Sequence, residues 1–212
     1  MIAFFLFTLI VLEGLAALAF LLCYKFTKEH HVVLLGAWFA TRFLSLVFAG
    51  IADRFLNWSP LPVNNISVFI EGIVMVYFYY SIDKKATKSV KVFILLFSLI
   101  FLSELFFAQS LSEPFYVLNT IYYLLVCIML LGLILKVKPA GKLHLYLQIL
   151  FVFHAVVMIY MLNATLFLFN MEVFNLVYPV LWLCTATLDI LSIIFVLGKV
   201  QKHTILSELI KD

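Results

Sequence analysis

Residues 2–24 read IAFFLFTLIVLEGLAALAFLLCY, an apolar run that contains a single charged side chain, Glu13. A helix needs about 20 apolar residues to cross the hydrocarbon core of a bilayer. The run therefore predicts a transmembrane helix. It lacks the basic segment and the small-residue cleavage site of a signal peptide, so we expect it to be retained.

The composition extends this interpretation to the whole chain. Of its 212 residues, 66% are hydrophobic and only 12% are charged, an apolar content that a soluble domain of this size could not bury. The expected partner is therefore the lipid bilayer, and since no block of like charge is present, no nucleic-acid partner is expected. Cys23, Cys127 and Cys184 lie in apolar runs, which is typical of buried thiols rather than of a disulfide framework.

Seven segments are long and apolar enough to span a membrane. They are residues 2–24, 32–52, 64–82, 90–109, 115–136, 144–169 and 173–198. Charged residues and helix-breaking prolines separate most of them, as at Pro60 and Pro62. We predict an all-α polytopic membrane protein: a single domain over residues 1–212, a bundle of seven transmembrane helices, with a short cytosolic tail at 199–212.

Lysine and arginine predict the orientation, because cytoplasmic loops carry an excess of both. All but two of the 14 basic residues fall in the first, third and fifth connections and in the C-terminal tail. Arg54 lies on the opposite side, and Arg42 lies inside a span. We predict that the N-terminus is outside and the C-terminus is in the cytosol, in a cell membrane that we expect to be a bacterial inner membrane.

Six ionisable residues lie inside the predicted spans, where a charge near the bilayer centre costs roughly 2.5–3.5 kcal/mol on insertion scales. They are Glu13, Arg42, Glu71, Glu104, His154 and Asp189. Arg42 needs a carboxylate partner, because an unpaired buried charge is far more costly than a paired one. Glu13 is the first choice, since spans one and two are antiparallel neighbours and both residues lie near mid-depth; Asp189 is the second.

The last span carries polar residues at helical spacing. Intervals of three or four residues place them on one face of the helix. They are Asn175, Tyr178, Trp182, Thr185, Asp189 and Ser192. Lipid cannot satisfy polar groups, so this stripe faces protein or water. It is either the hydrogen-bonded side of a central helix or the wall of a cavity, and the sequence leaves both open.

Most polar groups of the spans fall in the half of the membrane that we predict to be the outer one. We therefore predict an outward-facing polar pocket that binds a small ligand or a proton. Its candidate residues are Glu71, Glu104, Asn119, His154, Asn163, Tyr178, Trp182, Thr185 and Asp189. Glu13 and Arg42 are assigned to a structural ion pair.

Several kinds of site find no support in the sequence. No HExxH motif or paired-histidine spacing indicates a metal site, although a carboxylate site made by Glu71, Glu104 and Asp189 stays open. Haem needs paired axial ligands, and His154 has no mate in another span. Retinal is not expected, because the position four residues after Asp189 is Ile193 rather than a Schiff-base lysine. No GxSxG motif indicates a hydrolase; we predict no cofactor and assign no catalytic residue.

Parts of the third, sixth and seventh spans carry a resemblance to a known group. The segments concerned are Asn64-Asn65, Phe69-Ile-Glu71, Tyr77-Phe-Tyr-Tyr80, residues 151–169 with Tyr160, and Trp182. In these the chain resembles a group of uncharacterised seven-helix membrane proteins of Bacteroidota, in which the third helix carries such a glutamate. It departs from the group's pattern at Asp53-Arg54. The resemblance implies seven helices and a bacterial inner membrane, but no activity.

The leading functional prediction is a receptor-like or regulatory membrane protein. Because every predicted loop is short, a signal from the pocket has to leave through a protein partner or a homo-oligomer. The alternative is a small transporter or an ion or proton channel, which a continuous polar route across the membrane would favour. A second alternative is an intramembrane lipid-modifying enzyme, which needs two or more of Glu71, Glu104, His154 and Asp189 to converge beside a lipid-sized opening.

Overall fold

The computed structural model describes the backbone of residues 2–107, 116–139, 141–166 and 171–209. It describes the side chains of residues 6–106, 118–139, 141–160 and 180–201. Seven α-helices account for nearly all of this backbone: α1 Ile2–Thr27, α2 His30–Phe55, α3 Leu61–Ile82, α4 Thr87–Phe107, α5 Tyr116–Lys136, α6 Lys142–Leu166 and α7 Met171–Leu209. Within the described residues, seven helices are long and apolar enough to cross a membrane. The predicted all-α fold and helix count are therefore confirmed.

Several helix ends differ from the predicted ones, because the end of an apolar run is not the end of a helix. α7 continues to Leu209, well past the predicted boundary at residue 198, since lysine and glutamine are good helix formers. The charged first loop is shorter than the predicted one, because only two residues separate α1 from α2. There, Lys28 has a φ of 53°, and this left-handed conformation ends α1. The predicted break at 170–173 lies partly outside the described residues.

The helices form a closed ring in chain order. Each helix packs against the next one, and α7 packs against α1. A further contact joins α3 directly to α5, which leaves α4 on the outside of the ring. Consistent with this position, α4 is the least buried of the seven spans. The interior of the bundle is therefore enclosed by α1, α2, α3, α5, α6 and α7.

Ion pairs link the first connection to α7 and the third connection to the end of α5. Glu29, between α1 and α2, accepts a hydrogen bond from Lys199 of α7 and lies 2.9 Å from His31. Asp83, after α3, pairs with Lys136 at the end of α5, and this hydrogen bond holds the pKa of Asp83 below its usual range. The regions that carry most lysines therefore share one face of the bundle.

Which side of the membrane this face occupies is a prediction that labelling can test. In a variant without the three native cysteines, Ser59→Cys and Lys85→Cys place single thiols in exposed loops at opposite ends. We expect an impermeant maleimide to label Ser59→Cys on intact cells and Lys85→Cys only after permeabilisation. The reverse pattern would show that the N-terminus is cytosolic.

Gly72 allows α3 and α4 to approach closely. A Cβ atom built at this position would lie 2.2 Å from the Phe97 ring of α4. The Phe97 ring also stacks on Phe69 of α3, with ring centroids 5.7 Å apart. The lack of a side chain at Gly72 thus creates the space in which Phe97 packs.

Gly72→Ala should destabilise the bundle by about 1–3 kcal/mol, because an overpacked ring must move. The matched control is Gly50→Ala, since a Cβ there meets nothing within 4 Å and alanine is the better helix former. Thermal unfolding in detergent compares the two variants. Equal unfolding temperatures would contradict the packing role of Gly72.

Candidate functional site

The centre of the bundle holds an ion pair between α1 and α2. Glu13 lies about as many residues before the tight α1–α2 connection as Arg42 lies after it. Because the two helices are antiparallel, both residues therefore lie at the same depth in the bundle. Arg42 Nε and Nη2 both donate to Glu13 Oε1, at 2.6 Å. The structure thus shows the predicted contact. Its assignment as a purely structural pair stays a prediction.

Two aromatic rings support the guanidinium of Arg42. Its Cζ atom lies 4.9 Å from the centroid of the Trp38 ring and 5.3 Å from that of Phe153. A cation over an aromatic face is stabilised by the ring quadrupole, more strongly where water is scarce. Trp38 is four residues before Arg42 on α2, so the two side chains share one face of that helix.

Glu71 of α3 lies at the end of a short chain of hydrogen bonds. Trp38 Nε1 donates to the Tyr122 hydroxyl over 3.2 Å, and that hydroxyl donates to Glu71 Oε2 over 3.5 Å. The chain joins α2, α5 and α3. Glu71 is 95% buried, and its interaction with Arg42 is electrostatic rather than a direct hydrogen bond.

His154 of α6 is fully buried beneath this group. Its Nδ1 lies 2.7 Å from the carbonyl oxygen of Leu150, which can only accept, so Nδ1 carries a proton. Nε2 has no hydrogen-bond partner among the described residues. Aromatic rings surround it: those of Trp38, Tyr122, Tyr123 and Phe153, with centroids between 5.2 and 6.2 Å away.

Asp189 of α7 is also fully buried. Neither of its carboxyl oxygens has a hydrogen-bond partner within the part of the chain that the structure describes. One turn further along α7, Ser192 forms a hydrogen bond of 2.8 Å with the Tyr146 hydroxyl. Asp189 is close enough to Arg42 to interact with it electrostatically, but the first-choice partner Glu13 holds the hydrogen bonds.

A cavity of about 260 Å³ lies against the ion pair. Six helices contribute to it, all except α4. The lining residues are Leu6, Leu9 and Glu13; Arg42, Ser45 and Leu46; Glu71; Tyr123; Phe153 and Val157; and Leu181, Trp182 and Thr185. Glu13, Arg42 and Glu71 lie near the middle of their helices and form its floor. The other lining residues extend from there toward the end of the bundle at which α1 begins.

The structure brings some of the predicted site residues together and separates others. Glu71, Trp182 and Thr185 line the cavity. Asp189 and His154 lie outside its wall. The side chains of Asn163 and Tyr178 lie outside the described residues.

Glu104 and Asn119 do not line the cavity. Glu104 Oε2 accepts a hydrogen bond of 2.8 Å from the backbone N–H of Leu118, in the first turn of α5. A carboxylate at this position satisfies a free amide and complements the helix dipole. The sequence predicts how deep Glu104 lies in the membrane. That depth is compatible both with this capping position and with a place in a pocket wall.

Ser45, Tyr123 and the leucines of the lining were not among the predicted site residues. Ser45 is three residues after Arg42 and hence on the same face of α2. That spacing was the available signal, but a lone serine in a span more often bonds its own helix. The leucines carry no signal that separates a cavity wall from a lipid-facing surface.

Within the residues that the structure describes, no three His, Cys, Asp or Glu side chains come close enough to hold a metal ion. The alternative of a metal site made by Glu71, Glu104 and Asp189 is therefore wrong. The reason is visible in the fold: Glu104 belongs to the outer helix α4 and is engaged at the start of α5.

Comparisons with known proteins give no relationship: no family model, no curated protein and no solved structure matches this chain. The resemblance to the seven-helix group of Bacteroidota thus stays a prediction.

Arg42→Met should cost about 3–5 kcal/mol of stability, because it leaves the carboxylates of Glu13 and Glu71 buried without their cation. Arg54→Met, at an exposed position near the end of the same helix, is the matched control and should change stability by less than about 0.5 kcal/mol. Unfolding in mixed detergent measures both. If the two variants unfold alike, the central ion pair contributes little to the fold.

Proposed function

We propose that this protein is a receptor-like membrane protein that binds a small ligand in the cavity above the Glu13–Arg42 pair. The observation that carries the proposal is the cavity itself: a polar floor at mid-membrane, walls from six different helices, and a volume of about 260 Å³. Ligand sites are concave, mostly apolar and furnished with a few convergent polar groups. This cavity has that composition.

Unpartnered polar atoms support a ligand rather than a purely structural cluster. Buried polar groups in proteins are nearly always hydrogen-bonded. Here Glu13 Oε2 is buried without a partner among the described residues, and the Tyr122 hydroxyl lies 3.5 Å from Glu71, a long distance for a hydrogen bond. A cluster that existed only to hold the helices together would be expected to satisfy these carboxyl groups within the protein.

The runner-up function, transport or conduction, is less well supported because, among the side chains that the structure describes, the polar groups do not continue across the bundle. Along the buried face of α7, Ser192 is followed by Val196, which is 2% exposed, and only then by Lys199. The Tyr146 and Phe195 rings stack beside this gap with centroids 4.4 Å apart. An enzymatic function is supported still less, because Glu71 is the only one of Glu71, Glu104, His154 and Asp189 that lines the cavity.

The predicted orientation places this cavity in the extracytoplasmic half of the membrane. Its lining extends toward the N-terminal end of α1, which the distribution of lysines places outside. A ligand would then arrive from outside the cell. The short connections among the described helices are the reason to expect that a response passes to a protein partner.

A cavity-filling substitution tests the proposal without knowledge of the ligand. Chromatographic fractions of small-molecule extract from the host cell are added to the full chain in nanodiscs, and the unfolding temperature is recorded. We expect at least one fraction to stabilise the wild type but not Leu46→Trp, in which an indole occupies the cavity. Leu44→Trp, on the exposed side of α2, is the control and should respond as the wild type does.

Two results would overturn the proposal. One is that no fraction stabilises the wild type. The other is that stabilising fractions act equally on Leu46→Trp and Leu44→Trp, because the effect then comes from lipid partitioning or from another site.

A further inference from the structure

The carboxyl groups around the cavity outnumber the basic groups. Its lining contains one cation, Arg42, and two carboxylates, Glu13 and Glu71. Arg42 directs two N–H groups at Glu13, so these two residues neutralise each other. Glu71 remains as a carboxyl group without a cation in direct contact, and Asp189 adds a further carboxyl group close enough to Glu13 to interact with it electrostatically.

Glu71 is placed to receive a donor from the cavity. The Tyr122 hydroxyl lies 3.5 Å from its Oε2, which is beyond the usual range of such a bond, and the Trp38 ring N–H is its other donor among the described residues. The side chain is 95% buried and lines the cavity. A cationic donor there would supply a charge-assisted hydrogen bond to this buried carboxyl group.

The surroundings of Glu71 suit an ammonium group that carries an apolar substituent. The aromatic side chains of Tyr123, Phe153 and Trp182 line the same cavity, and aromatic faces attract cations. Toward the end of the bundle the lining becomes aliphatic, with Leu6, Leu9, Leu46, Val157 and Leu181. The volume of about 260 Å³ lies just below the roughly 300–1,000 Å³ of drug-sized ligand pockets, so the substituent has to be short.

We propose that the cavity binds a small organic cation, an alkylammonium whose charged head contacts Glu71 and whose short apolar tail packs against Leu9, Leu46 and Leu181. This inference rests on the proposed function and specifies its ligand class. An anion is disfavoured, because the guanidinium of Arg42 is already engaged by Glu13 and the carboxylates outnumber it.

Three probes of equal length separate charge from size: n-butylammonium, n-butanol and butyrate. Each is titrated into the full chain in nanodiscs, and binding is followed by calorimetry and by the unfolding temperature. We expect butylammonium to bind at least about ten-fold more tightly than the other two, the difference that one charge-assisted hydrogen bond supplies. Glu71→Gln should remove this preference, whereas Glu104→Gln, which changes a carboxylate outside the cavity, should keep it.

The Leu46→Trp and Leu44→Trp pair separates failure of this inference from failure of the proposed function. If butanol or butyrate binds as tightly as butylammonium and Leu46→Trp alone abolishes the binding, the cavity is a ligand site and the cationic class is wrong. Butylammonium binding that persists in Leu46→Trp or in Glu71→Gln would also overturn the inference. If no probe binds in a manner that Leu46→Trp blocks, the inference fails, and the fraction screen described above decides the proposed function separately.

Discussion

An arginine in the middle of a lipid-embedded bundle is the constraint on which the rest of the structure depends. A guanidinium keeps its charge under all ordinary conditions, so Arg42 must find a counter-charge and polarisable surroundings within the protein. The structure supplies Glu13 from the adjacent helix, and the rings of Trp38 and Phe153 from below. These contacts define the register of α1 against α2 and bring α6 against the same centre.

The two ends of the interior differ in how they are filled. Toward the lysine-rich end the bundle is filled by side chains such as Phe20, Phe39 and Val196. Toward the other end, the six helices around Arg42 do not fill the space between them, and the cavity lies there. Two carboxyl groups, Glu13 and Glu71, line this cavity beside Arg42.

The sequence predicts the spans and the central pair for a simple physical reason. Hydropathy reports which segments lie in lipid, and two antiparallel helices joined by a tight turn must place Glu13 opposite Arg42. It does not predict that α4 lies outside the ring, because that position depends on the direct packing of α3 on α5. Because α4 lies outside the ring, the prediction that Glu104 lines the pocket is wrong. Its carboxylate instead caps the start of α5. Helix ends were misplaced where polar residues such as Lys199 continue a helix beyond the apolar run.

The length of α7 has a mechanical consequence. The helix contributes Leu181, Trp182 and Thr185 to the cavity and runs without interruption to Leu209. At about 1.5 Å of rise per residue, Leu209 lies about 36 Å along the axis from Thr185. If a helix of that length moves as a rigid body, a tilt of about 5° at Thr185 displaces its C-terminal end by about 3 Å. A small tilt of α7 beside the cavity therefore corresponds to a much larger displacement at the C-terminal end of this helix.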